Sequence, residues 1–560
     1  MSKEPRGMDQ DNVLLFLENR TEALDNKIAL GMKSGLGWNE LTFRGLSVLS
    51  RRLANYLIKN GVEKGDRIGI LSESMPEWGA ALFASVLSGA ISVPLDIKLT
   101  IYELTSILSD CKPKFLLVSN AHLEMALKLK ETIDSIEQVI ILDDSGSNHK
   151  YPSLYNIPDE QTTKWRHRAP GKTAFIIYTS GTTGTPKGVE ISFKNALAQV
   201  NSVGQCFDFG IKDKFLSILP MNHLFELTVG FMSFLGKGTS VYYSQSLKPK
   251  DLFNIIQEKQ ITFMIVVPAF LKLLKSSIES EISQYSPFKK LLFNIRYNIA
   301  KFIPIKWVRK SMFRSIHKKF GGKFKGCISG GAPMDISVAK FFERVGISVY
   351  EGYGLSEASP VVAVNCGSAC RLGSIGRPIP GVEVRIDKST GELMVRGDNV
   401  MKGYYKMPEL TAQAIEPDGW LHTGDIARID KDGFVFITGR IKSMIVLNGG
   451  KKVFPEEIEA VLEKSSKFSE ICVFGAKRSG GAKDGTEDIY VAVRPSDELL
   501  SLTQDEDELN KLVRAEVKAL SVKLSSYKRP SNIIVVKDPF PRTGTKKVKR
   551  NDVKKELVGV

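Results

Sequence analysis

The chain contains 560 residues, a length that excludes a single hydrophobic core and predicts two to four domains. Its composition, 42% hydrophobic and 25% charged, is ordinary for a globular protein, and its net charge of +16 favours an anionic partner. The six cysteines are sparse, as in a reducing compartment, and the pair Cys366 and Cys370 lacks the further ligands of a zinc site. The N-terminal stretch has no apolar core, so we predict no secretory signal.

The N-terminal part of the chain alternates between helical and strand patterns. A helix with its leucines on one face is predicted before the stop signal Asn60-Gly61. Strands are predicted at 67–71, 91–95, 114–118 and 139–142. The uncharged run 78–95 contains glycine and proline, which favours a buried helix and strand over a membrane span. Strands separated by helices indicate a mostly parallel, doubly wound sheet.

The same alternation continues through the middle of the chain and then changes. Further strands are predicted at 173–177, 215–219, 261–267 and 348–350. A helix is expected to start at Pro333. Short strands and turns over 373–439 predict a small β subdomain, and the chain after Arg440 predicts a separate small α+β domain.

A glycine- and hydroxyl-rich stretch, residues 178–188, follows the predicted strand 173–177 and precedes a helical pattern that begins near Phe193. Small residues let backbone N–H groups approach an oxyanion, hydroxyls add donors, and Lys187 supplies a positive charge, so the stretch suits phosphate. It is not a Walker A loop, because Pro186 precedes the lysine and Gly188 follows it. The alternative is a mobile, polar surface loop.

Four stretches occur in the order and spacing of one family: 178–188, 351–357, 420–425 with 438–440, and 541–550. Together they resemble the motifs of the adenylate-forming enzymes, most like long-chain fatty acyl-CoA synthetases, over almost the whole chain from Leu41. The resemblance implies an α/β fold with a large N-terminal region of doubly wound mixed sheets and a small mobile α+β C-terminal domain. It predicts an AMP-binding domain over 1–438 with a β subdomain at 373–438, a hinge at 439–442 and a C-terminal domain over 443–560.

The resemblance also implies the reaction and its cofactors. A fatty acid carboxylate attacks the α-phosphate of ATP and releases pyrophosphate, and then the thiol of coenzyme A displaces AMP from the acyl-adenylate. Because the carboxylate and ATP repel each other, such a site needs N–H donors, Mg²⁺ and lysine. Localisation is predicted to be cytoplasmic.

The site residues that the resemblance implies fall into three groups. Lys547 is the predicted catalytic lysine, His223 lies near the acyl carboxylate, and Glu357 binds Mg²⁺. The nucleotide-binding residues are predicted to be Thr179, Ser180, Gly181, Thr182, Thr183, Gly184, Lys187, Gly330, Gly331, Ala332, Tyr353, Ser356, Asp425 and Arg440. Lys442 occupies the hinge position. In this family's pattern threonine is usual at the position of Ser356, and glycine is frequent at that of Lys546.

Each of these residues also has a structural alternative. Asp425 could cap a turn, Glu357 could pair with an arginine, Lys547 could be a solvated charge, and His223 could be a core histidine. A non-catalytic nucleotide or lipid sensor on the same fold is a further alternative, although the presence of Lys547, Glu357, Asp425 and Arg440 argues against it.

Residues 284–326, called the basic segment below, contain no acidic residue and mix cations with aromatic residues. The segment resembles the enlarged insertion of long-chain fatty acyl-CoA synthetases, and our hypothesis is peripheral contact with an anionic membrane at its cytoplasmic face. A solvated basic loop is one alternative, and stacking on single-stranded nucleic acid is another, which we do not expect.

The sequence identifies the acyl acceptor less closely than it identifies the nucleotide. Fatty acyl-AMP ligases typically carry an insertion after the Glu357 motif, whereas residues 358–376 are short here, which favours coenzyme A. The main alternative is an acyl-carrier-protein ligase or fatty acyl-AMP ligase, because a basic surface attracts the acidic carrier protein.

Overall fold

A computed structural model describes residues 13–35, 37–143, 150–159, 168–179, 186–366, 370–447, 451–476, 487–503, 505–542 and 548–559. The chain divides into two compact units. The larger unit comprises Met1–Val384 and Val395–Leu421, and the smaller unit comprises Arg385–Met394 and His422–Val560. The division at residue 421 differs from the boundary predicted at 438, and the hinge at 439–442 stays a prediction.

The strands in chain order are β1 Ile28–Ser34, β2 Gly37–Thr42, β3 Arg67–Leu71, β4 Ile91–Pro94, β5 Phe115–Val118, β6 Gln138–Ile141, β7 Thr173–Thr179, β8 Lys187–Ser192, β9 Lys214–Ser217, β10 Ser240–Tyr243, β11 Phe263–Val266, β12 Gly326–Ser329, β13 Ser348–Gly354, β14 Val361–Val364, β15 Arg377–Pro378, β16 Val382–Ile386, β17 Glu392–Gly397, β18 Gly403–Tyr404, β19 Leu421–Ile429, β20 Val435–Arg440, β21 Ile445–Val446, β22 Lys452–Val453, β23 Phe468–Ala476, β24 Asp488–Pro495 and β25 Asn532–Val535.

The α-helices are α1 Val13–Leu24, α2 Phe43–Lys59, α3 Pro76–Leu87, α4 Ile101–Cys111, α5 Leu123–Thr132, α6 Phe193–Cys206, α7 Phe234–Gly236, α8 Pro249–Lys259, α9 Pro268–Ser283, α10 Pro287–Ala300, α11 Lys306–Met312, α12 Arg314–Lys319, α13 Ile336–Arg344, α14 Pro408–Ala414, α15 Pro455–Leu462, α16 Asp497–Leu502, α17 Glu506–Ser521 and α18 Arg550–Val558. A π-helix, Phe225–Ser233, precedes α7, and 3₁₀ turns lie at Asn120–His122, Ser356–Ala358, Ile441–Ser443 and Ser526–Lys528.

A mixed nine-stranded sheet lies in the larger unit, in the order β15-β14-β13-β12-β11-β9-β10-β1-β2. Its central strands pair in parallel, whereas β2 at one edge and β14 with β15 at the other pair antiparallel. Parallel strands buried on both faces read as short continuous apolar runs, which is why these strands were predictable. The α/β class with mixed sheets is confirmed.

A second sheet of the larger unit has seven strands in the order β18-β8-β7-β4-β3-β5-β6. Strand β8 pairs antiparallel with β7 and forms a hairpin that the sequence analysis did not predict. Val189 and Ile191 alternate with polar residues along β8 and are fully buried, so the strand is held by its inward face. Helix α6 then begins at Phe193, as predicted, with Ser192 as its N-cap.

The uncharged run 78–95 forms a buried helix followed by a strand, as predicted. Every side chain of α3 is buried, and β4 pairs in parallel with β3. Among the described residues, no helix is both long and apolar enough to cross a membrane.

One predicted helix start is wrong. Helix α13 begins at Ile336 rather than at Pro333, because the Asp335 side chain accepts a hydrogen bond from the Ser337 N–H at 2.7 Å. An aspartate N-cap satisfies a free N–H of the first turn, which a proline cannot do.

A four-stranded sheet has the order β16-β17-β19-β20. The smaller unit contains the pair β21-β22 and the sheet β23-β24-β25. Helices α15 and α17 bury Ile458, Leu462, Val513 and Val517 in one core with β23 and β24. Acidic residues fill the first turns of both helices, where the helix dipole favours negative charge. A small C-terminal α+β domain is thereby confirmed.

Candidate active site

The β7–β8 hairpin brackets the predicted phosphate loop. Thr179 ends β7 and pairs directly with Lys187 at the start of β8, so the two ends of the loop are fixed beside each other. The predicted residues Ser180, Gly181, Thr182, Thr183 and Gly184 lie outside the described residues. The Lys187 ammonium lies 5.7 Å from the centre of the Tyr404 ring, a distance suited to a cation–π contact.

Tyr404 joins this hairpin to Glu357. Its hydroxyl donates a hydrogen bond of 2.8 Å to Glu357 Oε1, while its ring faces Lys187. Burial, and then the negative charge of Glu357, raise the pKa of Tyr404 well above its ordinary value, so the hydroxyl stays a donor. Three side chains from separate parts of the sequence are therefore in one connected contact, and Tyr404 was not predicted as a site residue.

Two buried amides hold the turn that carries Ser356 and Glu357. Gln199 donates to Val361 O at 2.8 Å and accepts from the Val361 N–H at 3.1 Å. Asn399 donates to Ala358 O at 3.1 Å and to Val361 O at 3.3 Å. Both ends of the buried Gln199 amide are bonded, which fixes the turn more strictly than a solvated amide would, whereas Asn399 contributes through its NH₂ group. Ser356 and Glu357 are partly buried at the surface of this turn.

The glycine turn 330–332 follows β12 and lies beside β13. A Cβ at Gly330 would approach the Phe225 ring at 3.1 Å and Gly352 O at 3.2 Å, so this close approach favours glycine. Gly331 and Ala332 are exposed, and Tyr353 lies on β13, the strand paired with β12. The predicted adenine-binding residues thus lie on β13 and on the turn that follows its neighbour β12.

His223 lies two residues before Phe225, in the turn that leads into the π-helix. Burial lowers the pKa of His223 below its ordinary value, so the imidazole is neutral near pH 7. The Phe225 contact with Gly330 brings this turn to the glycine turn. A neutral, partly buried imidazole can donate or accept one hydrogen bond beside a carboxylate.

Glu351 is a titratable residue of this region that the sequence analysis missed. It precedes Gly352 on β13, and its Oε1 accepts a hydrogen bond from the Met334 N–H at 3.2 Å. Burial raises its pKa to about 7. The bond ties the glycine turn to β13. Its position within the 351–357 motif was visible, but its burial was not.

Asp425 and Arg440 are paired in the smaller unit. They are opposite each other on β19 and β20, and Arg440 Nε donates to Asp425 Oδ1 at 2.8 Å. Asp425 is buried, whereas the Arg440 side chain is 60% exposed. Lys442 is exposed in the 3₁₀ turn that follows, and Lys547 lies outside the described residues.

The described residues contain no group of three or more His, Cys, Asp or Glu side chains that could hold a metal ion. Mg²⁺ commonly binds one or two carboxylates together with substrate phosphates, and the role of Glu357 as its ligand stays a prediction. Within the same ranges, Cys366 and Cys370 are free thiols.

A model of the AMP-binding enzyme family matches residues 17–405, and a model of the AMP-binding enzyme C-terminal domain matches residues 457–547. The chain is 28% identical to a long-chain-fatty-acid–CoA ligase of Mycobacterium bovis over 83% of this chain and 80% of that protein. It is also 28% identical to a chloroplastic long-chain-fatty-acid–[acyl-carrier-protein] ligase of Arabidopsis thaliana, over 92% of this chain and 81% of that protein.

Among solved structures, the fold resembles that of O-succinylbenzoate coenzyme A synthetase from Bacillus subtilis in complex with ATP and magnesium ion. The TM-score is 0.73 at 24% identity, over 96% of this chain and 99% of that chain. The resemblance to adenylate-forming enzymes inferred from the four motifs is confirmed.

Proposed function

This chain belongs to the AMP-binding enzyme family, and on that premise we propose that it activates a long-chain fatty acid and transfers it to the thiol of coenzyme A. The observation that carries the proposal is the contact of Lys187, Tyr404 and Glu357 at the base of the β7–β8 loop. These three residues provide a cation, a hydroxyl donor and a carboxylate, which are the groups that a polyphosphate and its metal ion would contact.

The proposed reaction has two steps. A carboxylate oxygen of the fatty acid forms a bond to the α-phosphorus of ATP, and the bond from that phosphorus to the bridging oxygen breaks to release pyrophosphate. The thiolate of coenzyme A then attacks the acyl carbonyl, and AMP leaves with the oxygen that joined it to the acyl group. Mg²⁺, when bound, neutralises phosphate charge.

The larger unit supplies the residues for phosphate, metal and adenine. Thr179 with residues 180–184 and Lys187 would bind the β- and γ-phosphates, and Glu357 beside Ser356 would hold Mg²⁺. The Tyr404 hydroxyl orients the Glu357 carboxylate, as outer hydrogen-bond partners do for metal ligands. Tyr353 would lie against the adenine face, with Gly330, Gly331 and Ala332 at its edge.

Three further roles complete the assignment. Asp425 would accept hydrogen bonds from the ribose diol, and Arg440 would donate to it. Lys547 would bridge the substrate carboxylate and the α-phosphate, with Lys442 at the hinge. The neutral His223 would orient the acyl carboxylate without adding charge.

The test is pyrophosphate exchange into ATP, followed by AMP release with a ladder of fatty acids, with coenzyme A and then with acyl carrier protein as acceptor. We expect exchange that depends on Mg²⁺ and a long-chain acid, and AMP release that rises with coenzyme A. The absence of exchange with any carboxylic acid would overturn the proposal. If AMP release rises with acyl carrier protein and not with coenzyme A, the acceptor is acyl carrier protein, as in the name of the Arabidopsis thaliana relative.

The basic segment supports a second part of the proposal, peripheral contact with an anionic membrane. Helix α10 buries only Ala300, while Phe288 is 74% exposed. Further along, Phe302 is 75% and Trp307 72% exposed. Exposed aromatic side chains among cations suit the boundary between lipid headgroups and acyl chains, where each basic residue contributes about 1 kcal/mol.

Vesicle co-sedimentation over a salt series tests the membrane contact. We expect the protein to bind anionic vesicles, and the variant Phe302→Ser with Trp307→Ser to lose at least about tenfold in affinity, since apolar burial contributes roughly 25 cal/mol per Å². The matched control is Leu502→Ser, which replaces a 79% exposed apolar residue of the smaller unit. Binding to RNA without binding to vesicles would contradict the proposal.

A further inference from the structure

A cleft of about 570 Å³ opens at the basic segment, apart from every residue assigned above to the reaction. Its walls come from the C-terminal end of α8, from α11, from α12 and from the turn Gly321-Gly322. The lining includes Lys310, Arg314 and Lys318, with Gln257 beside them, and no carboxylate.

The cations of the cleft have few partners of their own. Lys310 donates to Gly322 O at 2.6 Å, which fixes its stem across the cleft. In the described ranges, no hydrogen bond or ion pair engages the side chain of Arg314 or Lys318. These two residues are four apart on α12 and so share one face, an arrangement that is unfavourable for like charges in the absence of an anion.

The turn Gly321-Gly322 forms the opposite wall of the cleft and packs closely against α8. Gly321 has a φ of +65°, and a Cβ there would lie 2.7 Å from Ile256 O, so only glycine lets the turn approach α8. Gln257 Nε2 donates to Lys319 O at 3.0 Å and ties the end of α8 to the end of α12. The cations therefore line a cleft whose other side is a polar wall held against α8.

One aromatic residue links the cleft to the exposed apolar surface. Trp307 lines the cleft and is 72% exposed, and Phe302 and Ile305, which lie shortly before it, are also exposed. A phosphate held in the cleft would therefore have apolar side chains next to it on the protein surface.

We propose that this cleft binds a phosphate ester, with Arg314 and Lys318 on the phosphate oxygens and Gln257 on a neighbouring hydroxyl. Guanidinium and ammonium groups are the donors best matched to phosphate. The adjacent apolar surface favours the headgroup of an anionic phospholipid as the source, and a soluble phosphate ester has the same chemistry. The site is separate from the reaction proposed above, and unlike general attraction to a charged surface it is saturable.

The test uses the full chain saturated with AMP, so that phosphate binding in the active site does not contribute. Tryptophan fluorescence is followed during titration with glycerol 1-phosphate, and the Trp307→Phe variant identifies the part of the signal that comes from Trp307. The test variant is Arg314→Gln with Lys318→Gln. Its control, Lys289→Gln with Lys290→Gln, removes the same charge from exposed positions outside the cleft.

We expect saturable quenching in the wild type and the control, and a loss of at least about tenfold in affinity in the test variant, because two charge-assisted contacts are removed. Vesicles of phosphatidylglycerol and of a diacylglycerol hemisuccinate then separate the sources. A preference for the phospholipid that the test variant loses assigns the cleft to a lipid headgroup, and no preference assigns it to a soluble ester.

Two results would overturn the proposal: equal titration of the test variant and the control, or RNA binding through Arg314 and Lys318 with no saturable response to glycerol 1-phosphate. Activity on a soluble acid is measured in parallel and should be unchanged in the test variant. Failure of this site and failure of the proposed reaction therefore give different results.

Discussion

The charged residues predicted for the active site and the cations of helix α10 in the basic segment have opposite surroundings. Among the predicted site residues, Asp425 pairs with Arg440 at 2.8 Å in the smaller unit, and Glu357 accepts from Tyr404 at 2.8 Å in the larger unit. On helix α10 of the basic segment, the side chains of Lys289, Lys290 and Arg296 have no hydrogen bond or ion pair within the described ranges, and apolar side chains beside them are exposed.

The difference indicates two kinds of binding. Paired, partly buried charges are held in place before a ligand arrives, so they can select its geometry and are screened little by salt. Unpaired, exposed cations adapt to an anion outside the protein, and their contribution falls as salt rises. Substitutions in the first region should therefore change catalysis at any ionic strength, whereas those in the second should change association.

The largest expected effect is that of Lys547→Ala. We expect adenylate formation to fall by roughly 10²-fold or more, because the charge that develops between carboxylate and α-phosphate loses its cation. Thiolysis of supplied acyl-AMP should remain largely intact. Pyrophosphate exchange measures the first step, and release of AMP from acyl-AMP measures the second.

Lys549→Ala is the matched control, since Lys549 lies in the same tail and faces Asp552 at 3.7 Å in an exposed pair. Exposed pairs of this kind contribute at most about 1 kcal/mol. An equal loss in both half-reactions for Lys547→Ala would show that the lysine has a structural role instead.

Asp425→Asn should have the next largest effect. The substitution keeps the shape but removes the charge that accepts hydrogen bonds from Arg440 and from the proposed ribose diol, so the KM for ATP should rise roughly tenfold or more. Asp398→Asn, in an exposed pair with Lys194 at 3.0 Å, is the control and should leave the KM unchanged. An unchanged KM in both variants would remove Asp425 from the nucleotide site.

Tyr404→Phe should have a smaller effect, because it removes the hydroxyl and keeps the ring beside Lys187. Loss of the hydrogen bond to Glu357 should raise the Mg²⁺ concentration for half-maximal activity by roughly tenfold, with little change at saturating Mg²⁺. Tyr405→Phe, at the neighbouring position, is the control. A proportional loss at every Mg²⁺ concentration would mean that the hydroxyl contacts substrate instead of orienting the carboxylate.

The same two regions separate what the sequence could predict from what it could not. The family motifs placed Asp425 and Arg440 in the same predicted nucleotide site, and the two residues lie opposite each other on neighbouring strands. The absence of acidic residues predicted the unusual basic segment. In both cases the information lies in a short stretch of chain.

The residues that were missed depend on contacts far apart in the sequence. Gln199 and Asn399 hold the Glu357 turn from positions that carry no motif, so only the fold reveals them. Tyr404 is similar, since its two partners come from β8 and from the 3₁₀ turn. Strand β8 was the exception, because the alternation of Val189 and Ile191 with polar residues was visible in the sequence.

Glu226 sharpens the comparison, because its side chain is unpaired like those of the α10 cations but is fully buried. Both of its carboxyl oxygens lack a hydrogen-bond partner within the described residues, and burial raises its pKa to about 8. The buried Tyr243 on β10 interacts electrostatically with Glu226 and also with Glu77. The folded state therefore keeps the Glu226 proton at a pH where the unfolded chain, with an ordinary carboxyl pKa, releases it.

Stability from this group is present at low pH and is lost as pH rises from the ordinary carboxyl value to about 8. Glu226→Gln cannot ionise, so its Tm relative to the wild type should rise by a few degrees between pH 5 and pH 8.5, since ~1 kcal/mol shifts Tm by about 2–4 °C in domains of moderate size. Glu383→Gln changes an exposed carboxylate paired with Arg396, and its Tm relative to the wild type should not change with pH. If the Tm of Glu226→Gln relative to the wild type is also independent of pH, the buried carboxylate is charged in the folded protein. Burial alone would then not decide its protonation, and the contrast between the two regions would rest on hydrogen-bond partners instead of solvent exposure.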